Sequence, residues 1–383
     1  MFALRRATCL AVRQLKATSV KAASTGASAP SDEKPWQNPW KHALPKKTET
    51  YTTYEESPVD WSYRQSLKKI HVSEDDTING EPQSKRVHMD EEITQEAVSD
   101  PCPSFHYDAL HKADEFNVPE FAFDIFAYIQ SRESLYMVRD YFPKYQKLSK
   151  DTRAVLVNWM VEVQETFEMV HETLYLAVKL ISREQLQLIA SAAIFLASKF
   201  DERSPPLIDD FIEICENIFD RDAFEAMERN LLQTVHFDLG CPVSYRYLRR
   251  YAMVTGSEMS VLTLSRYILE TSLMFFEFAM ENESKVAAGA FLLALRMTDK
   301  KAEWTPILHK YSGLSPTEVE DYCWALNHMM HIRTSGKGIY KSLKTTFDKY
   351  SHKIFFESAK VPLLPDKFLV TQAQESHQSC NIL

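Results

Sequence analysis

The amino-acid sequence predicts an all-α fold: two successive five-helix units with a leading helix, preceded by a long disordered N-terminal region. Three observations support this prediction. Only 8 of the 383 residues are glycine, which disfavours tight hairpins and glycine-rich loops. From Pro119 to about residue 360, apolar residues recur with helical spacing. The helical pattern restarts after Gly240 and Pro242, so two similar units are expected.

The N-terminal region, residues 1–115, carries few apolar side chains and is rich in Ser, Thr, Lys and Pro, so we expect it to be disordered. Its start contains arginines and lysines but no acid before Asp32, and it is similar to a mitochondrial transit peptide. Two alternatives stay open: a basic disordered tail, and a start exon misjoined to the rest. The polar tail, residues 363–383, is expected to be flexible.

The helices are predicted from apolar periodicity and from their start and stop signals. A leading helix is expected over Pro119–Arg139, because proline suits the first helical position. The next helix carries a buried stripe in which Val155, Trp159 and Val163 are spaced by four. The predicted helices of the first unit, residues 116–240, are Ser149–Met169, Glu172–Ser182, Glu184–Phe200, Pro206–Ile218 and Asp222–Phe237, and those of the second, residues 241–362, are Val243–Val254, Ser260–Met280, Glu283–Met297, Trp304–Tyr311, Pro316–Ile332 and Gly338–Tyr350.

Composition and motifs argue against several classes of function. The net charge is −9, whereas nucleic-acid binding normally shows as a basic face. The six cysteines include no C-x-x-C pair, so we expect neither a zinc site nor a disulfide framework. Cysteines without a disulfide framework indicate a protein of a reducing compartment. No apolar run is long enough to cross a bilayer. The common catalytic motifs are missing, so we expect a non-enzyme without cofactor or metal, whose function lies in its surfaces.

One helix resembles a known family closely. Residues 152–163 read Thr-Arg-Ala-Val-Leu-Val-Asn-Trp-Met-Val-Glu-Val. This stretch resembles the hydrophobic-patch helix of the cyclins, whose usual form begins Met-Arg-Ala-Ile-Leu-Val-Asp-Trp. Thr152, Val155 and Asn158 depart from that form.

Further motifs follow in the order of the cyclin family, over about residues 119–362. Together they imply tandem five-helix cyclin boxes, most similar to the mitotic B-type cyclins and their B-three subgroup. The motifs are Glu-Thr-Phe-Glu-Met-Val-His-Glu-Thr-Leu-Tyr at 165–175, Leu-Gln-Leu-Ile-Ala-Ser-Ala-Ala at 186–193, Ala-Ser-Lys-Phe-Asp-Glu at 197–202, Tyr-Leu-Arg-Arg-Tyr-Ala at 247–252, Leu-Ser-Arg-Tyr-Ile-Leu-Glu at 264–270 and Lys-Tyr-Ser-His-Lys-Ile-Phe-Phe at 349–356.

The resemblance implies a regulatory subunit that binds and activates a mitotic cyclin-dependent kinase and controls G2/M and mitotic progression. In that family a lysine and a glutamate grip the backbone around the regulatory αC helix of the kinase, and they correspond here to Lys199 and Glu228. Phe200 and Phe237 flank them, which suits charges that bond main-chain groups at the rim of an apolar contact. Without this pattern, either charge would be interpreted as a solvated surface residue. We call these four residues the kinase-binding surface.

A second implied surface, the docking patch, recruits kinase substrates that carry an Arg-x-Leu element. Its apolar members would accept the leucine, and Glu162 would attract the cation. Because Thr152 replaces the usual methionine, we expect weaker docking. The alternative interpretation of Trp159 is simple core packing. By correspondence the patch comprises Thr152, Leu156, Trp159, Glu162 and Gln187.

Two departures from the family concern the folding of the first unit. The arginine that corresponds to Arg153 forms a buried ion pair with an aspartate, and the residue that matches this aspartate is Ser182. Leaving a buried arginine without its carboxylate typically costs ~3 to 5 kcal/mol. The connection between the second and third helices, at residues 180–187, is also roughly nine residues shorter than in the family. It is shorter than the connections that usually join two packed helices. We interpret the shortening as a spliced-out or mispredicted exon.

Two short motifs lie outside the helical units. Arg64, Leu67 and Ile70 fit the R-x-x-L-x-x-I core of a cyclin destruction box, which a ubiquitin ligase of mitotic exit would bind in extended form. Val72 stands where the family usually has asparagine. Cys380 begins a C-a-a-X pattern, which is the acceptor motif for prenylation. One of its two aliphatic positions is occupied by Asn381, and no cluster of basic residues lies nearby.

The sequence thus predicts a cyclin-type regulator whose partners are a cyclin-dependent kinase, substrates with Arg-x-Leu elements and a ubiquitin ligase, without nucleic acid or membrane. We expect it in the nucleus and also in the cytoplasm, with the mitochondrion as the alternative. Two rival interpretations stay open. One is a mitochondrial-targeted or misjoined product that carries a partly defective cyclin body, and the other is a transcription-factor-like adaptor with the same fold, which the acidic charge disfavours.

Overall fold

The fold is known from a computed structural model that describes residues 100–113, 118–142, 149–181, 186–215, 217–335 and 338–367. Within these ranges all regular structure is helical and no strand occurs. No helix there has both the length and the apolar character needed to cross a membrane. The α-helices are α1 Tyr107–Leu110, α2 Ala122–Ser131, α3 Lys150–Thr166, α4 His171–Leu180, α5 Leu186–Asp201, α6 Ile208–Ile214, α7 Arg221–Thr234, α8 Ser244–Val254, α9 Met259–Ser272, α10 Phe276–Ala279, α11 Glu283–Thr298, α12 Pro306–Ser312, α13 Pro316–Ser335 and α14 Thr345–Tyr350.

The first unit, α3 to α7, is arranged around α5. Small side chains along α5 allow the neighbouring helices to approach, and Ala190, Ala193 and Ala197 are fully buried. Helices α3, α4 and α7 all pack against α5. Phe195 of α5 meets Phe211 of α6 edge to face, with ring centroids 5.3 Å apart. Phe195 also meets Phe224 of α7 edge to face, with ring centroids 5.6 Å apart, so these aromatic contacts hold α5 against both α6 and α7.

The second unit, α8 to α14, repeats this arrangement around α11, against which α8, α9 and α13 pack. Ala287, Ala288 and Ala294 of α11 have no exposed surface. Gly289 allows α13 to come closest, because a Cβ atom at this position would lie 2.5 Å from the Cβ atom of Tyr322. Glycine is therefore required at this position because any side chain would collide with α13.

The leading helix is shorter than predicted. It begins at Ala122, not at Pro119, and no side chain caps its start. After Ser131 the chain tightens into a 3-10 turn that ends at Tyr136. Helices α6 and α14 are also shorter than their predicted counterparts, and a separate 3-10 turn, Gly338–Lys341, precedes α14.

The predicted Ser260–Met280 helix is interrupted, and α9 and α10 replace it. The break follows Ser272, where the carbonyl oxygen of Leu273 accepts a hydrogen bond of 2.7 Å from the Arg153 guanidinium of α3. The Leu273 carbonyl oxygen thus accepts from a side chain of the first unit, whereas in a continuous helix it would accept from a backbone N–H one turn later. Apolar periodicity within one segment could not predict this.

A buried polar network joins the two units. The ammonium of Lys349 donates to Glu270 Oε1 at 2.8 Å and to Gln164 Oε1 at 2.9 Å. The hydroxyl of Tyr350 donates to Glu270 Oε2 at 2.8 Å. Because Glu270 has no exposed surface, these partners are needed to offset its desolvation. The joint therefore combines α3 of the first unit with α9 and α14 of the second.

The residues before α2 are held against the second unit. Arg250 of α8 donates to both carboxylate oxygens of Asp108, at 2.7 and 2.5 Å. Lys310 of α12 forms an ion pair with Asp100 at 2.6 Å. The bidentate Arg250 contact is the stronger type of charged hydrogen bond, so it anchors α1.

Candidate functional site

The structure brings Lys199 and Glu228 together. Lys199 lies in the last turn of α5 and Glu228 in the middle of α7, and the two helices pack against each other. The Lys199 ammonium forms an ion pair with the Glu228 carboxylate. It also lies 4.4 Å from the ring centroid of Phe195, within cation–π range. Both charged groups offer more hydrogen-bonding positions than one ion pair uses, so they can also bond the backbone of a partner.

Two large aromatic side chains of the kinase-binding surface are exposed. Phe200 follows Lys199 and is 50% exposed, and Phe237 is 71% exposed. The backbone at His236 and Phe237 is left-handed, with φ of 51° and 61°. Non-glycine residues rarely adopt this conformation, which costs on the order of 1 kcal/mol each. The chain thus leaves α7 through a strained turn and presents an aromatic ring to solvent.

Sequence reasoning missed two neighbouring features. Leu207, immediately before α6, is 69% exposed, and its position after two consecutive prolines was the available signal. Asp238, next to Phe237, forms an ion pair of 2.5 Å with Arg132, directly after α2. The leading helix is therefore linked to the turn that carries Phe237. No local sequence signal pairs residues so far apart.

The docking patch is largely enclosed. Leu156 has no exposed surface and Trp159 is 8% exposed, so both pack into the core of the first unit. Thr152 and Gln187 are partly exposed. The Thr152 hydroxyl lies 2.9 Å from the Ser149 hydroxyl, at the start of α3. A docked peptide would contact the edge of Trp159 and the flanking polar residues, and it would reach Leu156 only if side chains moved.

Glu162 of the docking patch is bonded to the second unit. Its Oε1 atom accepts a hydrogen bond of 2.8 Å from the hydroxyl of Thr345, the first residue of α14. Asn158, one turn earlier, donates to the same hydroxyl at 2.8 Å and accepts from the Thr345 backbone N–H at 3.3 Å. Burial raises the pKa of Glu162, and the bond from Thr345 opposes this effect. The carboxylate would have to share or leave Thr345 to bind an arginine.

Arg153 is 2% exposed and points to the second unit. It donates to the Leu273 carbonyl oxygen, and its guanidinium lies 5.7 Å from the ring centroid of Phe276. Among the described residues no carboxylate forms an ion pair with it, and the nearby Glu277 carboxylate is paired with Lys150 at 2.6 Å. Burial lowers the pKa of Arg153, and Tyr141 and Glu277 oppose this effect. Its predicted counterpart, Ser182, lies outside the described residues. The destruction-box residues Arg64, Leu67 and Ile70, and Cys380, also lie outside them.

Within the described part of the chain, no cluster of His, Cys, Asp and Glu side chains could hold a metal ion.

Comparison with known families matches most of the helical region. The family model "Cyclin, N-terminal domain" matches residues 124–240, which contain the kinase-binding surface and the docking patch. The family model "Cyclin, C-terminal domain" matches residues 242–364.

Known relatives are similar over much of this chain. A G2/mitotic-specific cyclin-B3 of Caenorhabditis elegans is 42% identical over 82% of this chain and 81% of its own length. Cyclin-B3 proteins of Canis lupus familiaris and Drosophila melanogaster are each 44% identical, over 66% and 69% of this chain. The chain spans only 19% of the dog relative and 47% of the fly relative. A viral cyclin structure from herpesvirus saimiri covers 59% of this chain at 15% identity and a TM-score of 0.46, which is too weak a likeness to support an inference.

Proposed function

The chain belongs to the cyclin family of cell-cycle regulators, and we propose that it binds and activates a mitotic cyclin-dependent kinase. One observation carries this proposal: Lys199 and Glu228 form an ion pair beside the exposed ring of Phe200. An exposed aromatic group next to groups that can bond main-chain atoms is typical of a protein–protein contact.

The apolar contact supplies part of the free energy that activation of a kinase requires. Burial of one phenylalanine contributes roughly 1.5 to 3 kcal/mol. A shift of a kinase from 1:99 to 99:1 in favour of its active arrangement requires about 5.5 kcal/mol of differential affinity. Because Phe200 is 50% exposed and Phe237 is 71% exposed before binding, burial of the remaining surface contributes roughly 2 to 4 kcal/mol, which is part of the required stabilisation if both rings bind only the active position of the αC helix. In this proposal the kinase catalyses the phosphoryl transfer, and this chain stabilises the active position of the αC helix.

The test is co-purification of the complete chain with a mitotic cyclin-dependent kinase. We expect the double variant Lys199→Ala with Glu228→Ala to lose the kinase. The matched control is Lys360→Ala with Glu357→Ala, which removes an exposed ion pair from the second unit. Equal recovery of kinase with the wild type and the first variant would refute the proposed surface.

We also propose that the docking patch recruits substrates weakly. Because Trp159 and Leu156 are core residues, the sharper test is Thr152→Met at the partly exposed edge. Added apolar contact at ~0.8 kcal/mol per CH₂ group should lower the KM for Arg-x-Leu substrates about fivefold. In the control substrate, the arginine and the leucine of this element are both replaced by alanine. A fall in KM for both substrates would argue against recruitment through this patch.

For the cellular setting we propose nuclear action and ubiquitin-dependent removal at mitotic exit, on the basis of the family and of the Arg64–Ile70 motif. Cell fractionation tests the first part, because matrix accumulation with cleavage near residue 30 would favour the mitochondrial alternative.

A further inference from the structure

Two adjacent residues after α2 bond to different helical units. Glu133 is buried, and its carboxylate accepts hydrogen bonds from the Ser284 backbone N–H at 2.6 Å and from the Ser284 hydroxyl at 2.8 Å. Ser284 lies in the first turn of α11, so Glu133 holds the chain after α2 to the second unit. Arg132 instead forms its ion pair with Asp238, which follows α7 of the first unit. The two residues therefore join the end of the first unit to the start of α11.

The Arg132 guanidinium is held by more than its ion pair. It donates to the Tyr128 hydroxyl at 2.6 Å and to the Tyr136 hydroxyl. Both rings also lie within cation–π range, with centroids 5.5 and 5.3 Å from the guanidinium carbon. The side chain of Arg132 is 21% exposed and that of Asp238 is 49% exposed. The ion pair is thus fixed mainly from the arginine side, unlike a pair of two free surface side chains.

Asp238 belongs to the strained turn that carries Phe237. Within this turn the Phe237 N–H donates to the Leu232 carbonyl oxygen at 2.9 Å. The Oδ1 atom of Asp238 accepts from the Gly240 N–H at 3.3 Å. A left-handed backbone at two consecutive non-glycine residues persists only where the surrounding structure holds it in place. Arg132 adds a contact of this kind from a segment outside the turn.

We propose that Arg132 is a positioning residue of the kinase-binding surface: through Asp238 it holds the turn from which Phe237 contacts the kinase. This inference rests on the proposed function. Arg132 acts on affinity without touching the kinase, because its effect is on the position of the Phe237 ring. Since Glu133 fixes the same segment to α11, the second unit also supports this surface of the first unit.

The test is a double-mutant cycle on the affinity of the complete chain for the kinase. Arg132→Met should weaken binding about fivefold, since it removes the ion pair that holds the turn. Phe237→Ala should weaken binding at least about tenfold, since it removes the ring itself. Added to Phe237→Ala, Arg132→Met should cost no further affinity, because no ring is left to position. Arg132→Lys should recover part of the affinity, since it keeps a cation beside Asp238.

A second variant tests the ion pair from its other side. Asp238→Asn removes the charge and keeps an acceptor for the Gly240 N–H, and it should weaken binding as Arg132→Met does. The matched control is Arg296→Met, which removes an ion pair with Glu320 inside the second unit. Arg296 is 17% exposed, close to the value for Arg132, and its loss should leave the kinase affinity unchanged.

Hydrogen exchange of the Phe237 backbone N–H, measured on the chain alone, reports on the turn without the kinase. It should be several-fold faster in Arg132→Met than in the wild type. Unchanged exchange, additive losses of affinity in the double-mutant cycle, or an equal loss in Arg296→Met would each overturn the inference while the wild type still binds the kinase. A wild type that binds no kinase would refute the proposed function and this inference together.

Discussion

Glu165, near the end of α3, is a carboxylic acid held among charges of the second unit. Its pKa is raised to about 7: burial is the largest cause, the Lys349 ammonium lowers the pKa, and the carboxylates of Glu270, Glu162 and Asp348 raise it. In the unfolded chain the pKa is 4.5. Between these two values the folded chain binds more protons than the unfolded chain, so the contribution of Glu165 to stability falls as pH rises.

We therefore predict that Glu165→Gln is more stable than the wild type above neutral pH. The difference in unfolding free energy should be small near pH 5 and on the order of 2 kcal/mol near pH 8. His171 acts in the opposite sense, because burial lowers its pKa to about 4 and stability is lost as pH falls below its unfolded value of 6.5. Denaturant unfolding of both proteins across this range isolates Glu165, and parallel curves would contradict the prediction.

At the scale of elements, the close approach of α11 and α13 depends on Gly289. In Gly289→Ala the new methyl group would overlap Tyr322, at a cost of about 1 to 3 kcal/mol, which exceeds the gain in helix propensity of up to ~1 kcal/mol. We predict a lower Tm. The control is Gly240→Ala, whose nearest neighbour atom would be 3.5 Å away, and it should change Tm little. Equal stability of both variants would show that α13 can move aside.

The number and order of the main helices could be predicted, because apolar periodicity records which face of each helix is buried. The predicted and observed starts of α8 and α11 agree within one residue. Their junctions could not be predicted in the same way. The interruption after Ser272 and the capping of Thr345 by Asn158 depend on side chains from the other unit. Contacts between distant segments leave no periodic signal in either segment.

For the candidate sites too, the sequence pointed to individual residues but not to the contacts that these residues make with the other unit. The resemblance to cyclins selected Lys199 and Glu228, which the structure pairs across α5 and α7. The same reasoning assigned Glu162 to attract the cation of a docked element, but it could not predict that this carboxylate accepts a hydrogen bond from Thr345 of the second unit. It also predicted Arg153 without a carboxylate, but it could not predict that a backbone carbonyl at a helix break would take that place.

At the scale of the whole molecule, the joint between the units is built from charged and polar side chains. Lys349, Glu270 and Gln164 form its buried part, and Arg249 and Glu172 form an ion pair of 2.9 Å nearer the surface. A buried network of this kind requires all its members, since the loss of one leaves another charge unpaired. The two units should therefore unfold together.

The lifetime of the protein is also a property of the whole chain. We predict that Arg64→Ala with Leu67→Ala lengthens its half-life after mitotic exit several-fold, because a ubiquitin ligase would lose its extended recognition element. The measurement is a chase after protein synthesis is stopped in cells leaving mitosis. The control is Lys85→Ala with Arg86→Ala, which changes two basic residues of the same N-terminal region outside the motif. Identical decay of all three proteins would remove the destruction-box assignment.

Activation of a mitotic cyclin-dependent kinase through the kinase-binding surface can be measured directly. The measurement is the rate at which the purified kinase phosphorylates a substrate without an Arg-x-Leu element, as a function of the concentration of this chain. The wild type should raise the rate to a plateau. Lys199→Ala with Glu228→Ala should require at least tenfold more protein, since losing charged hydrogen bonds costs ~1.5 to 3 kcal/mol. A flat rate with the wild type, or identical curves for both proteins, would contradict activation through this surface.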